Sequence, residues 1–114
     1  MPFLSGYGTG KEIRMREEKL TTYLKDACPG RENAMTGNEL EKLLHISGKD
    51  LRMLVNKLRR KGVPIGSGQE GYFYAVTAAE VYETILQLQG MLRGLEAAIH
   101  GLEKSFHSFS EDRK

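Results

Sequence analysis

Apolar residues recur along most of the chain at intervals of three and four, which predicts a mainly helical fold. The first helix is expected to begin at Lys11 and to bury one stripe, formed by Leu20, Tyr23, Leu24 and Ala27. Pro29 and Gly30 end this helix, because proline disrupts a helix interior. A polar loop, Gly30 to Ala34, is predicted to follow.

Two short amphipathic helices are predicted next, and each starts with a capping signal. Thr36 and Glu39 have the spacing of a capping box, and the second helix that they open buries Leu40, Leu43 and Leu44. His45 to Ser47 form a turn, and Ser47 with Asp50 gives a related signal for a third helix. That helix buries Leu51, Leu54, Val55 and Leu58, so its opposite face displays Lys49, Arg52, Met53, Asn56, Lys57 and Arg60.

A β-hairpin is expected after Gly62, which ends the third helix. Val63 to Ile65 form its first strand and Tyr72 to Tyr74 its second, with the glycine-rich segment Gly66 to Gly71 as a flexible connection. Aromatic residues in such a strand pack on a core more often than they bind a ligand. We therefore expect at least one of the two tyrosines, Tyr72 or Tyr74, in the core.

A long final helix is predicted from Thr77, which forms a third capping signal with Glu80. Its apolar residues alternate in steps of four and three, the heptad pattern of a coiled coil: Val81, Ile85, Leu88, Leu92, Leu95, Ile99, Leu102, Phe106 and Phe109. About 30 helical residues extend ~45 Å, more than so small a domain can cover. The first turns, around Val81 and Ile85, should cover the domain's own core, whereas the seam beyond Leu88 needs another helix. Gly90 and Gly94 lie off the seam, where either a second backbone approaches or the helix is weak.

The 114 residues suit one core with one appendage, and the 39% hydrophobic and 28% charged residues are typical of a globular protein. We predict a flexible tail at 1–10, a domain at 11–76, a dimerisation helix at 77–109 and a disordered tail at 110–114. Met1 to Gly10 contain neither a basic n-region nor a long apolar run, and no stretch approaches the ~20 apolar residues that span a membrane, so we expect a cytoplasmic protein. Cys28 is the only cysteine and is expected to be a small buried thiol.

Charge changes this picture only locally. The net charge of +2 does not by itself indicate a nucleic-acid partner. Between Ser47 and Lys61, however, six cations face one acid, Asp50, which gives that segment a charge of +5. Such a concentration on one predicted helix is the electrostatic footprint of a nucleic-acid-binding protein.

The order of helix, helix, turn, basic helix and hairpin resembles the winged helix-turn-helix family of bacterial and phage DNA-binding domains, including the N-terminal module of the biotin repressor. The residues that carry the resemblance are Met35 to Gly62 and Val63 to Ala75. The resemblance implies a third helix that enters the major groove, a second helix that braces it, and a wing beside it.

The resemblance also implies roles for individual residues. It places Gly48, Lys49, Arg52, Met53 and Asn56 near base edges, where Arg52 suits guanine and Asn56 suits adenine. It places Lys57, Arg59, Arg60 and Lys61 near phosphates. The wing tip has no lysine or arginine and carries Glu70. The wing is therefore expected to touch DNA through backbone amides, Ser67 or Gln69, or not to touch it at all.

The resulting hypothesis is a sequence-specific duplex-DNA-binding protein, either a transcriptional regulator or a small phage-type protein. A homodimer is expected through Leu88, Leu92, Leu95, Ile99, Leu102, Phe106 and Phe109. No enzymatic activity, cofactor, metal or small-molecule ligand is expected, because His45, His100 and His107 are dispersed and accompany no catalytic group. Two alternatives stay open: a winged-helix protein-interaction module, and single-strand or RNA binding with Tyr72 or Phe73 as a stacking platform.

Overall fold

The computed structural model describes residues 9–112, and the side chains of residues 9–109. It is mainly helical, with one antiparallel hairpin and a long C-terminal helix, which confirms the predicted element order. The elements are α1 (Gly10–Ala27), a 3₁₀ turn (Arg31–Asn33), α2 (Gly37–Leu44), α3 (Gly48–Arg60), β1 (Ile65–Gly68), β2 (Gly71–Tyr74) and α4 (Ala78–Asp112). The chain divides into two compact units, and the boundary along the sequence falls after Tyr82. None of the helices in residues 9–112 has both the length and the apolar character needed to cross a membrane.

The predicted tails need adjustment at both ends. Residues 1–8 of the expected N-terminal tail lie outside the described residues, but Thr9 is the N-cap of α1. Its hydroxyl accepts from the Glu12 amide at 3.2 Å, and its own amide donates to the Glu12 carboxylate at 3.0 Å. At the other end, α4 continues to Asp112, where a disordered tail from residue 110 was expected. Residues 113–114 lie outside the described part of the chain.

The capping signals at the two short helices are confirmed. Thr36 and Glu39 form a reciprocal capping box on α2, and the Ser47 hydroxyl accepts from the Asp50 amide at 3.1 Å on α3. Thr77 likewise accepts from the Glu80 amide at 3.2 Å. The carboxylate of Glu80, however, accepts from the amides of Val76 at 2.9 Å and Arg31 at 3.0 Å. Glu80 thus ties the start of α4 to the loop after α1.

The hairpin differs from its prediction in where the first strand lies. That strand begins at Ile65 and includes Gly66, Ser67 and Gly68, so a two-residue turn replaces the expected flexible connection. Gly66 pairs with Phe73 across the hairpin, and a Cβ at Gly66 would overlap the Phe73 ring. Because the Phe73 ring packs over Gly66, this glycine is part of the strand and not of a loop.

A third backbone segment joins the hairpin, although no strand was predicted there. Met35, just before α2, exchanges two hydrogen bonds with Tyr72, at 2.8 and 2.9 Å. Nearer α1, the Tyr74 amide donates to the Cys28 carbonyl at 2.8 Å, and the Tyr74 carbonyl accepts from the Gly30 amide at 2.8 Å. β2 is thus bonded on both edges, which anchors the hairpin to the loop between α1 and α2.

The core lies among α1, α2, α3 and the hairpin. Cys28 is 1% exposed, as predicted, and burial raises the pKa of its thiol. Tyr72 and Tyr74 both pack against the core, in agreement with the expectation for at least one. Ala27, expected on the buried stripe of α1, is exposed. The buried apolar residues are Leu20, Leu24, Cys28, Leu40, Leu44, Leu51, Leu54, Val55, Leu58, Ile65, Phe73 and Ala75.

Candidate nucleic-acid interface

One face of α3 is exposed along its whole length. Its residues fall at i, i+3, i+4, i+7 and i+11, which places them on a single stripe of the helix. We call them the α3 stripe: Lys49, Arg52, Met53, Asn56 and Arg60, all exposed. Three of the five are cations, one is an amide and one is apolar. The stripe therefore combines hydrogen-bond donors with the apolar side chain of Met53.

The first turn of the α3 stripe is open to a ligand. Among the described side chains, residues 9–109, neither Lys49 nor Arg52 has an ion-pair or hydrogen-bond partner. Gly48 is half-buried, and its Cβ position lies 2.9 Å from Oε2 of Glu41 and 3.5 Å from a guanidinium nitrogen of Arg52. An acid of α2 therefore adjoins the predicted base-reading end of α3.

The far end of the α3 stripe has an internal contact. Arg60 donates to the amide oxygen of Asn56 at 3.0 Å, one helical turn away. This hydrogen bond leaves the amide N–H groups of Asn56 available as donors. The bidentate contact with adenine expected for Asn56 requires its oxygen as well, so that contact competes with Arg60.

Two lysines predicted to contact phosphates are paired with a buried acid of α1. Nζ of Lys61 lies 2.7 Å from Oε1 of Glu17, and Nζ of Lys57 lies 2.9 Å from Oε2. The Glu17 side chain is only 7% exposed, whereas those of Lys57 and Lys61 are 35% and 53% exposed. The hydrogen bond from Lys61, followed by the close contact with Lys57, lowers the pKa of Glu17 below its usual value. These lysines fasten α3 to α1 and keep only part of their charge for a ligand.

Arg59, also predicted to contact phosphate, connects α3 to the hairpin. Its Nε donates to the Ile65 carbonyl at 2.8 Å, and a terminal nitrogen donates to the Ser67 hydroxyl at 3.1 Å. Burial lowers the pKa of its guanidinium. Of the two predicted wing contacts, Ser67 is thus already engaged by Arg59, whereas Gln69 is exposed in the turn beside exposed Glu70.

Glu17 was not singled out from the sequence, although a signal for it exists. Glu17, Leu20 and Leu24 fall at i, i+3 and i+7, so the acid continues the buried stripe of α1. An acid on an apolar stripe needs a cationic partner, because an unpaired buried charge is costly. Which cations would supply that partner depends on the packing of α1 against α3, which the sequence does not show.

The predicted dimerisation seam lies on a helix that exposes it. The seven residues Leu88, Leu92, Leu95, Ile99, Leu102, Phe106 and Phe109 are 38–70% exposed. Val81 packs against the core, as predicted for the first turn of α4, whereas Ile85, expected to cover the same core, is 42% exposed.

The alternative in which Phe73 stacks on an exposed base has less support in the geometry. Phe73 is 0% exposed, so its ring offers no face on which a base could stack. Its ring does lie 5.5 Å below the guanidinium of Arg31, a cation–π contact within the fold.

Within the described residues, no group of three or more histidine, cysteine or acidic side chains could hold a metal ion.

Comparison with protein-family models, with curated protein sequences and with solved structures finds no match to this chain.

Proposed function

We propose that the chain is a winged helix-turn-helix protein that binds duplex DNA as a homodimer, as a transcriptional regulator or a small phage-type protein. In this proposal α3 is the recognition helix, α2 braces it, and the β1–β2 hairpin is the wing. The observation that carries the proposal is the α3 stripe, an exposed and largely cationic face on a helix whose opposite face is fixed in the core. A rigid helix with donors on one side suits the acceptor-rich edges of the major groove.

The internal contacts of α3 sharpen which residues bind. Lys49 and Arg52 carry the base-reading role, because their side chains have no competing partner in the part of the chain whose side chains are described. Arg60 and the exposed parts of Lys57 and Lys61 supply phosphate contacts. Arg59 acts indirectly, because its hydrogen bonds to Ile65 and Ser67 hold the wing against α3.

Fluorescence anisotropy with a labelled duplex selected from a random pool tests the proposal. Arg52→Ala should weaken binding roughly 10- to 100-fold, because one base contact contributes about 1–3 kcal/mol. Lys104→Ala is the matched control: it removes one exposed positive charge from α4 and should change affinity less than about twofold. Absence of duplex binding at low salt, or equal losses for the two variants, would overturn the proposal.

Glu17→Gln provides a second test, in which duplex affinity should increase and not decrease. Removing the carboxylate releases Lys57 and Lys61 from their ion pairs, so duplex affinity at low salt should rise. The dependence of log K on log salt should also become steeper, since more cations would meet phosphates. An unchanged affinity and slope would exclude these two lysines from the interface.

A second candidate function is a winged-helix protein-interaction module without DNA readout. The observation that favours it is the use of Lys57, Arg59 and Lys61 inside the fold, which lowers the charge available to DNA. Binding of a protein partner through apolar side chains should persist between about 50 and 200 mM salt, whereas phosphate-dependent binding falls steeply over that range. A salt titration of any isolated complex separates the two candidates.

A further inference from the structure

We infer that the α4 helices of two chains pair in parallel and in register, an inference that rests on the homodimer of the proposed function. The seam on α4 is described by heptad positions a to g. Its a positions are Ile85, Leu92, Ile99 and Phe106, and its d positions are Leu88, Leu95, Leu102 and Phe109. Among parallel coiled coils, β-branched residues at a combined with leucine at d favour two strands over three or four. Two of the four a positions are isoleucine, and three of the four d positions are leucine.

The residues that flank the seam differ in charge. On one side, the e positions are Gln89, Glu96 and Glu103; on the other side, the g positions are Met91, Ala98 and Ser105. In a parallel pair each e position faces a g position of the second copy. Glu96 then lies beside Met91, and Glu103 beside Ala98, so no two like charges meet.

An antiparallel pair brings the same acids together. There an a position faces a d position, and e faces e. The alignment with the greatest overlap pairs Ile85 with Phe109 and Leu88 with Phe106, and its two-fold axis lies near residue 97. Both copies of Glu96 then meet at that axis, where like charges are destabilising. The charge pattern therefore favours the parallel arrangement.

Parallel pairing also has a consequence for the proposed DNA complex. Both chains enter the seam at the same end, near Glu83, so the two N-terminal domains belong to the same end of the coiled coil. Symmetric dimers of helix-turn-helix proteins read two half-sites on one duplex, typically one helical turn apart. A shared entry point allows that arrangement.

Disulfide trapping tests the orientation in the full chain. We would prepare Leu88→Cys and Phe106→Cys, oxidise each alone, and oxidise their mixture. In a parallel pair each variant cross-links to itself and the mixture contains only same-position disulfides, because positions 88 and 106 are about 27 Å apart along the helix. The wild type is the control and should not cross-link, since Cys28 is 1% exposed.

A disulfide between positions 88 and 106 in the mixture, without self-cross-linking, would overturn the parallel orientation. Glu96→Gln gives a second measurement that leaves the seam intact. The dimer dissociation constant should stay within about twofold of wild type, as for the matched variant Glu103→Gln. A several-fold tightening specific to Glu96→Gln would indicate that two copies of Glu96 meet and would also overturn the inference.

A chain that does not dimerise gives a different experimental result from a dimer with the other orientation. Light scattering under reducing conditions should give twice the chain mass of 12.8 kDa for the wild type and both cysteine variants. A wild-type monomer at tens of micromolar would contradict both the proposed dimer and its orientation. A wild-type dimer without self-cross-linking of either variant would overturn the orientation alone.

Discussion

The domain that ends at Tyr82 and the part of α4 that follows it, from Glu83 onward, use the same kind of apolar residue in different ways. Leu20, Leu40 and Leu54 of the domain are 0% exposed, whereas Leu95 and Leu102 of α4 are 64% and 70% exposed. In both regions leucine recurs at helical spacing. Periodicity therefore identifies the face that a helix buries, but it does not say whether the same chain covers that face.

The two regions also differ in how they use charge. In the domain, Glu17 is buried and pairs with Lys57 of α3 and with Lys61, the C-cap of that helix. On α4, the contact between Nδ1 of His100 and the Glu103 carboxylate, at 3.3 Å, joins side chains that are 78% and 62% exposed. Buried pairs are costly to break, whereas exposed pairs contribute little. Charge is therefore part of the domain's architecture and a surface property of the long helix.

The largest effect is expected where the domain's backbone is most crowded. Gly71 has a φ of +123°, and a Cβ there would overlap the carbonyl of Met35. Gly71→Ala should cost about 4 kcal/mol, since it adds backbone strain to a clash that no side-chain rotation relieves. Gly68→Ala in the same hairpin is the control, because its Cβ would meet only side-chain atoms, the nearest at 3.6 Å. Urea denaturation measures both, and equal stabilities would contradict the role given to Gly71.

A matched pair of leucine truncations tests directly whether the domain and α4 differ in how their leucines are covered. Leu54→Ala should lower the free energy of unfolding by about 3 kcal/mol, independently of protein concentration, because it leaves a cavity in the core. Leu95→Ala removes the same atoms from an exposed site. Its effect should appear as a weaker dimer, measured by sedimentation, while the unfolding of the monomeric chain changes by less than about 0.5 kcal/mol. A large loss in the monomer would show that Leu95 is covered within its own chain.

A smaller effect is expected at Glu17, where charge connects two helices. Glu17→Gln should cost about 1–2 kcal/mol at neutral pH, less than a fully buried pair because both lysines are partly solvated. The pKa of Glu17 is lower in the folded state than its unfolded value of about 4.3. The wild-type advantage is therefore fully present above that pH and is lost as the pH falls through the folded pKa. Denaturation curves that stay equally far apart at acidic pH would contradict this.

The smallest effect should be a gain on the long helix. Gly94 lies inside α4, and nothing lies within 4 Å of the position of its Cβ. Gly94→Ala should therefore stabilise the helix by about 1 kcal/mol, as should Gly101→Ala, whose surroundings are equally open. Thermal unfolding followed by circular dichroism measures the gain. A loss would reveal a second backbone close to this face, the alternative that the sequence left open.

The sequence predicted the helices of the domain well because their signals are local. Thr36, Ser47 and Thr77 each have an acceptor oxygen three residues before an amide that it caps, and this spacing can be read directly. The first strand was misplaced for a related reason. Three glycines between Gly66 and Gly71 favour a loop locally, and only the packing of Phe73 over Gly66 makes that segment a strand.

The features of the candidate site also divide into those that local sequence signals predicted and those that depend on tertiary packing. The exposure of the α3 stripe followed from helical period alone, since the opposite face carries Leu51, Leu54 and Leu58. The partners of Lys57, Arg59 and Lys61 did not, because Glu17 lies 40 residues or more from either lysine along the chain and the Ile65 carbonyl has no side-chain signature.

By itself, then, the sequence determined the order of the main elements, the caps of α2, α3 and α4, and most of the face that each helix buries, because periodicity and capping act within a few residues. The tertiary structure alone decided which cations remain available on α3, because long-range pairing depends on how helices pack. It also decided that β2 is bonded on both edges, through Tyr72 and Tyr74, since backbone groups pair according to proximity and not to residue type.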